Sequence, residues 1–240
     1  PNSFSVTATD MEVELVVDVE VKLDQTTRFT LPARKLLDIC RSLPEDSELE
    51  FDIKDEKAHI KSGKSRFTLA TLPAQEYPVI DITEETIDFN LSHENLMRLL
   101  TNTQFAMAQQ DVRYYLNGLM LEVSSNSIKA VATDGHRLAF DETDAEISAN
   151  ESKQIIVPRK GVTELVRLLQ TSKNEANIKI SKNHIQVISG NLSFTSKLID
   201  GKFPDYQRVI PELSETTILA DREELKSSLA RVSILSNENI

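Results

Sequence analysis

The feature that most constrains this chain is that it repeats itself. Thr7-Ala8-Thr9-Asp10 recurs as Val131-Ala132-Thr133-Asp134, a shift of 124 residues. Leu31-Pro32-Ala33-Arg34-Lys35-Leu36-Leu37-Asp38-Ile39 recurs as Val157-Pro158-Arg159-Lys160-Gly161-Val162-Thr163-Glu164-Leu165, with Pro32 falling on Pro158 at a shift of 126. Ser62-Gly63 with Phe67-Thr68 returns as Ser189-Gly190 with Phe194-Thr195 at 127, and Tyr77-Pro78 returns as Phe203-Pro204 at 126. Four landmarks kept in order argue against coincidence, and a period this long makes each copy a complete unit of several strands and helices. A third copy opens at Ile218-Leu219-Ala220-Asp221-Arg222-Glu223-Glu224-Leu225. It resembles Phe89-Asn90-Leu91-Ser92-His93-Glu94-Asn95-Leu96: a strand end, an N-cap residue, then a helix. The middle copy, about residues 83–211, is the complete one. The first lacks its opening strand and helix and the chain starts without Met, so the expectation is a piece of a longer protein with at least three copies.

Within the middle copy two periodicities alternate. Apolar residues at Leu96, Leu99, Leu100 and Phe105 in 95–108, and at Val162, Leu165, Val166 and Leu169, follow helical spacing. Segments 119–123, 128–132, 178–180, 184–188 and 192–194 read as strands. Asp134-Gly135 is a strong turn signal, which predicts a hairpin from Ile128 to Phe140. The fold class expected is α+β, each copy having two helices on one face of antiparallel sheets. The expected domains are 1–82, 83–212 and 213–240.

At 240 residues with 40% hydrophobic content the chain can fill a core. No run approaches the roughly 18 apolar residues of a membrane span, so a soluble, cytoplasmic protein with no membrane role is expected. The single cysteine, Cys40, has no disulfide partner and no His at metal-ligand spacing, and is expected to be a buried helix residue. No metal or cofactor is expected. Asp134 and His136 sit two apart in a turn with no nucleophile or third ligand, a weak basis for catalysis, so Asp134 reads as a turn residue and His136 as the lining of a slot. Tyr114-Tyr115 beside Gln110 and Arg113 reads as surface, with ordinary core aromatics as the alternative.

The net charge of -11 argues against a molecule wrapped by nucleic acid. Yet 32–43 carries +2 and 158–173 carries +3, so the remainder holds -16. Arg34, Lys35 and Arg41, and Arg159, Lys160, Arg167 and Lys173, therefore put positive charge on repeat-equivalent helices within an acidic body. Such a face meets phosphates without reading bases. A protein-interaction scaffold with no DNA role remains open at this stage.

The run Gln104 to Gly118, with Ala132-Thr133-Asp134-Gly135-His136-Arg137-Leu138-Ala139, resembles the bacterial DNA polymerase III beta subunit, the replicative sliding clamp. Ile156-Val157-Pro158-Arg159-Lys160-Gly161, Phe194-Thr195-Ser196-Lys197-Leu198, Phe203-Pro204-Asp205-Tyr206 and Ile234-Leu235-Ser236-Asn237 extend the resemblance along the chain. It implies repeated clamp domains in a non-catalytic processivity factor, a head-to-tail homodimeric ring around double-stranded DNA that docks DNA polymerases and a clamp loader. It places DNA contacts on Arg34, Arg98, Gln110, Tyr114, Arg159 and Lys160. It places a partner-peptide pocket on Arg113, Tyr115, Leu116, Thr133, Gly135, His136, Arg137, Leu138, Pro204, Arg208 and Val209. The ring interface it implies involves Lys35, Arg66, Phe67 and Leu69 on one side and Ile234 and Leu235 on the other.

Overall fold

A computed structural model describes residues 3–21, 26–80, 82, 87–148, 151–211 and 216–234. The chain divides into two compact units, Pro1–Phe203 and Pro204–Ile240. In chain order the first unit holds β1 (Ser3–Thr9), β2 (Val13–Glu20), α1 (Ala33–Ser42), β3 (Glu50–Lys54), β4 (Lys57–Ser62), β5 (Ser65–Ala70), β6 (Ile87–Leu91) and α2 (His93–Thr103). It continues with β7 (Gly118–Val123), β8 (Ser127–Thr133), β9 (Leu138–Asp144), β10 (Lys153–Pro158), α3 (Arg159–Leu169), β11 (Ala176–Ile180), β12 (His184–Ser189) and β13 (Leu192–Lys197).

These strands form three antiparallel sheets, in the orders β1-β2-β13-β12-β11-β6, β10-β7-β8-β9 and β3-β4-β5. The six-stranded sheet crosses from one copy to the next, because β2 pairs with β13 in the register Leu15↔Phe194 and Val17↔Leu192. The end of the first copy lies back on this junction: the Tyr77 hydroxyl donates to the Thr7 carbonyl at 3.2 Å, and the Ile80 N–H donates to buried Glu14 at 3.1 Å.

The core belongs to the middle copy. Leu96, Leu99 and Leu100 of α2 and Val162, Leu165, Val166 and Leu169 of α3 are buried together, with α2 against β8 and β9 and α3 against β7 and β10. Phe89, Ile178, Ile185, Val187 and Phe194 carry the same core into the six-stranded sheet. The hairpin predicted from Asp134-Gly135 forms as β8 and β9, with Thr133 opposite Leu138.

Two expectations fail in the first unit. The helix expected over 95–108 ends at Thr103, whose hydroxyl donates to the Leu99 carbonyl at 2.6 Å; a single 3-10 turn follows, leaving Phe105 56% exposed. Cys40 is exposed, although its repeat equivalent Val166 is buried. The difference is the neighbour. No described helix packs along α1 as α2 packs along α3, so α1 buries only Ile39 and leaves Leu37 47% exposed.

The second unit has a 3-10 turn, Tyr206–Val209, and α4 (Arg222–Ser233). Asp221 caps α4 by accepting from Glu224 N–H at 2.9 Å, as Ser92 caps α2 by accepting from Asn95 N–H at 3.2 Å. Ile218 and Leu219, read as a strand end, form no strand.

Leu165→Ala is expected to lower stability by about 2–5 kcal/mol, and Leu37→Ala to change it by no more than about 0.5 kcal/mol. Urea unfolding of both variants checks this, and equal losses would contradict the packing described.

Candidate functional site

The repeat is reproduced atom for atom at two hairpin turns. In the second copy the Asp134 carboxylate accepts from His136 N–H at 2.9 Å and Arg137 N–H at 3.0 Å, and Thr133 Oγ1 donates to the Arg137 carbonyl at 2.7 Å. In the first copy Asp10 accepts from Glu12 and Val13 N–H at 3.0 Å each, and Thr9 Oγ1 donates to the Val13 carbonyl at 2.8 Å. The third turn position is left-handed in both, Met11 at φ 73° and Gly135 at φ 89°. Asp134 is therefore the turn residue its sequence context implied, and its backbone donors, His136 first, hold its carboxyl below the usual range.

Around the amino end of α3 several expected DNA-contact residues come together. Arg159 and Lys160 occupy the first turn, and Pro158 supplies no side-chain cap. Arg159 donates to the Met107 carbonyl at 3.0 Å, and its backbone N–H donates to the Asn117 carbonyl at 2.9 Å. Asn117 in turn closes a ring with Asp111, accepting from its N–H and donating to its carbonyl, both at 2.9 Å. These bonds hold the segment bearing Gln110, itself left-handed at φ 57°, beside α3. Gln110, Asn117, Arg159, Lys160 and Thr163 line one open concavity.

Lys160 is ion-paired with Asp10 and lies 3.6 Å from Glu12, both in the first copy's turn. The Lys160 ammonium, then the Val13 N–H, hold the Asp10 carboxyl down at about 2. Arg98 is likewise engaged, pairing with Asp141 and donating to the Glu142 carbonyl at 2.9 Å. Arg34 and Lys35 are exposed on α1 and make no ion pair among the described residues. Tyr114 is 56% exposed, edge-on to Tyr115 at 5.7 Å, which supports its reading as a surface residue. Arg34 and Arg98 do not line the concavity. Sequence reasoning missed Asp10, Glu12, Asp111, Asn117 and Asp141; only the alignment of Asp10 with Asp134 offered a signal.

Most of the expected peptide-pocket residues of the first unit also gather. Arg113 donates to Asp111 through Nε at 3.0 Å and Nη2 at 2.7 Å, and to the Asp134 carbonyl at 3.1 Å. It thereby lies against Gly135, where a Cβ would stand 3.0 Å from its guanidinium. Arg137 bonds Asp134 at 3.0 Å and lies over the Phe105 ring at 5.7 Å. Phe105, displaced from its expected helix, thus joins this surface with exposed His136 and half-buried Tyr115 and Leu138. Leu116 is buried and supports the surface from beneath. Pro204, Arg208 and Val209 fall in the second unit, where Arg208 pairs with Asp205 at 2.7 Å and Val209 is exposed.

Of the expected ring-interface residues, Arg66, Phe67 and Leu69 lie on β5, an edge strand, with Phe67 and Leu69 half-buried opposite Ile60 and Ala58. Ile234 is the exposed C-cap residue that follows α4, and Leu235 lies outside the described residues.

Family models described as the DNA polymerase III beta subunit, N-terminal domain and central domain, match residues 2–81 and 90–205. The beta sliding clamp of Pseudomonas aeruginosa is 47% identical over 98% of this chain, and that of Escherichia coli K12 is 44% identical over 98%. The chain spans 64% of the length of each. The crystal structure of the DNA polymerase III subunit beta from P. aeruginosa superposes with a TM-score of 0.94 at 46% identity, covering 99% of this chain and 65% of that one. These likenesses define the fold as the repeated α+β architecture of the sliding clamps. The chain belongs to the DNA polymerase III beta subunit family.

The Arg113 guanidinium, then its N–H, hold the Asp111 carboxyl at about 2, as Lys160 holds Asp10. Both folded values lie below the roughly 3.9 of an unfolded Asp. Each group therefore adds stability above that value and loses it as pH falls from about 4 toward about 2. Carboxyl NMR titration is expected to find both midpoints near 2, and Arg113→Ala, which keeps the backbone N–H, to raise that of Asp111 alone. A parent Asp111 midpoint near 4 would contradict the geometry.

Proposed function

We propose that this chain works as part of a replicative DNA sliding clamp, closing as a head-to-tail homodimer around duplex DNA and holding DNA polymerases and the clamp loader to it in the cytoplasm. It performs no chemistry itself. The domains are 1–82, 83–212 and the opening of a third, 213–240. The observation that carries the reading is the concavity at the amino end of α3, lined by Gln110, Arg159 and Lys160, where no side chain caps the helix. A helix amino end with two adjacent cations and an amide suits a phosphate backbone and offers no base-reading geometry. Arg34, Arg98 and Tyr114 add contacts outside that concavity. Docking falls to Arg113, Tyr115, Thr133, Gly135, His136, Arg137 and Leu138, over buried Leu116, where a half-apolar surface ringed by polar groups suits a short peptide anchor; Pro204, Arg208 and Val209 are assigned to docking by resemblance. Lys35, Arg66, Phe67, Leu69, Ile234 and Leu235 are assigned to ring closure, β5 offering the unpaired edge such an interface needs. The names of the relatives, beta sliding clamps and a DNA polymerase III subunit beta, support the reading.

Anisotropy of labelled duplexes over a range of salt concentrations tests it. Affinity is expected to be independent of sequence, with Arg159→Ala lowering the salt slope by about one and Lys160→Ala, whose ammonium is already paired, by less than one. Binding unaffected by salt and by both substitutions would contradict a DNA role.

A further inference from the structure

The two congruent turns differ in one chemical respect. In the second copy Asp134 finds its cation within its own turn, Arg137, at 3.0 Å. The residue matching Arg137 in the first copy is Val13, and the residue matching His136 is Glu12. The first-copy turn therefore carries two acids and no base. Its backbone N–H groups fix one oxygen of Asp10, leaving the other to the Lys160 ammonium, with Glu12 alongside at 3.6 Å.

We propose that Asp10 and Glu12 are an internal counter-charge for Lys160, competing with DNA phosphate for its ammonium and so weakening the grip on duplex DNA. This rests on the DNA reading above. The Lys160 and Asp10 side chains are 51% and 46% exposed, so a phosphate can reach the ammonium from solvent. Exchanging one anion for another at an open site costs little, and a lysine stem is long and mobile enough to make the exchange. The pair also answers a local conflict, because a lysine in the first turn of α3 faces the positive end of the helix dipole and an acid there offsets it. The outcome is a cation already partly neutralised before DNA arrives. A ring that must travel along a duplex is served by contacts that release readily.

The test is a set of three variants of the full chain measured against a short labelled duplex: Asp10→Asn with Glu12→Gln, Lys160→Ala, and all three together. Asn at position 10 keeps the oxygen that accepts the turn's N–H groups. The double variant is expected to bind about two- to fivefold more tightly, with a salt slope steeper by up to about one. The triple variant is expected to match Lys160→Ala. If the double variant binds no more tightly while Lys160→Ala weakens binding, the counter-charge proposal fails and the DNA reading stands. A gain that persists in the triple variant also overturns the proposal, because it assigns the effect to the general field of two lost acids. A lowered thermal midpoint without a change in affinity would assign the pair to helix stabilisation alone. If neither Lys160→Ala nor Arg159→Ala alters binding, the DNA reading itself falls.

Discussion

The meeting of the two copies at the amino end of α3 depends on the pairing of β2 with β13. That ladder makes one six-stranded sheet out of two copies and carries the β1–β2 turn across to the second copy, where Lys197 N–H donates to the Glu12 carbonyl at 2.9 Å. Gly161 completes the approach. A Cβ at that position would lie 2.6 Å from Ser196 Oγ on β13, so only glycine lets the start of α3 sit down on that strand. Sheet and helix together then bring Asp10 to Lys160, two residues 150 apart in sequence. The junction between copies and the amino end of α3 are thus one structure.

The repeat was legible because it preserves local chemistry. Thr9-Asp10 and Thr133-Asp134 build the same turn with the same hydrogen bonds, and the apolar spacing of 162–169 gives a helix whose inward face is fully buried. Packing was less legible, since it depends on a neighbour. Cys40 occupies a position that is buried in the other copy, and only the absence of a companion along α1 among the described residues turns it to solvent. Phe105 fits a helical period, but the helix ends two residues earlier and delivers the ring to the surface beneath Arg137. Least legible were the counter-ions of Arg98 and Lys160, because Asp141 and Asp10 are distant in sequence and nothing in their own segments marks them as partners.

Charge segregation, read from the sequence as basic helices in an acidic body, takes a more specific form in three dimensions. The cations of α1 project freely among the described residues, whereas Lys160 and Arg98 are each met by acid from a neighbouring element. An overall charge of -11 is therefore compatible with a phosphate-facing surface, since part of the acid is spent locally against the cations. The surface proposed for docking is built differently. There Arg113 and Arg137 are bonded to Asp111 and Asp134 and hold the turn at Gly135, among rings and half-buried apolar groups.

The central claim is that duplex DNA meets this chain at the amino end of α3. Amide and side-chain NMR shifts on titration with a short duplex test it most directly. The account predicts perturbations centred on Gln110, Tyr114 and the first turn of α3 from Arg159 to Thr163, the same for unrelated duplex sequences. Perturbations confined to the strands of the six-stranded sheet, or shifts that change with base sequence, would contradict it.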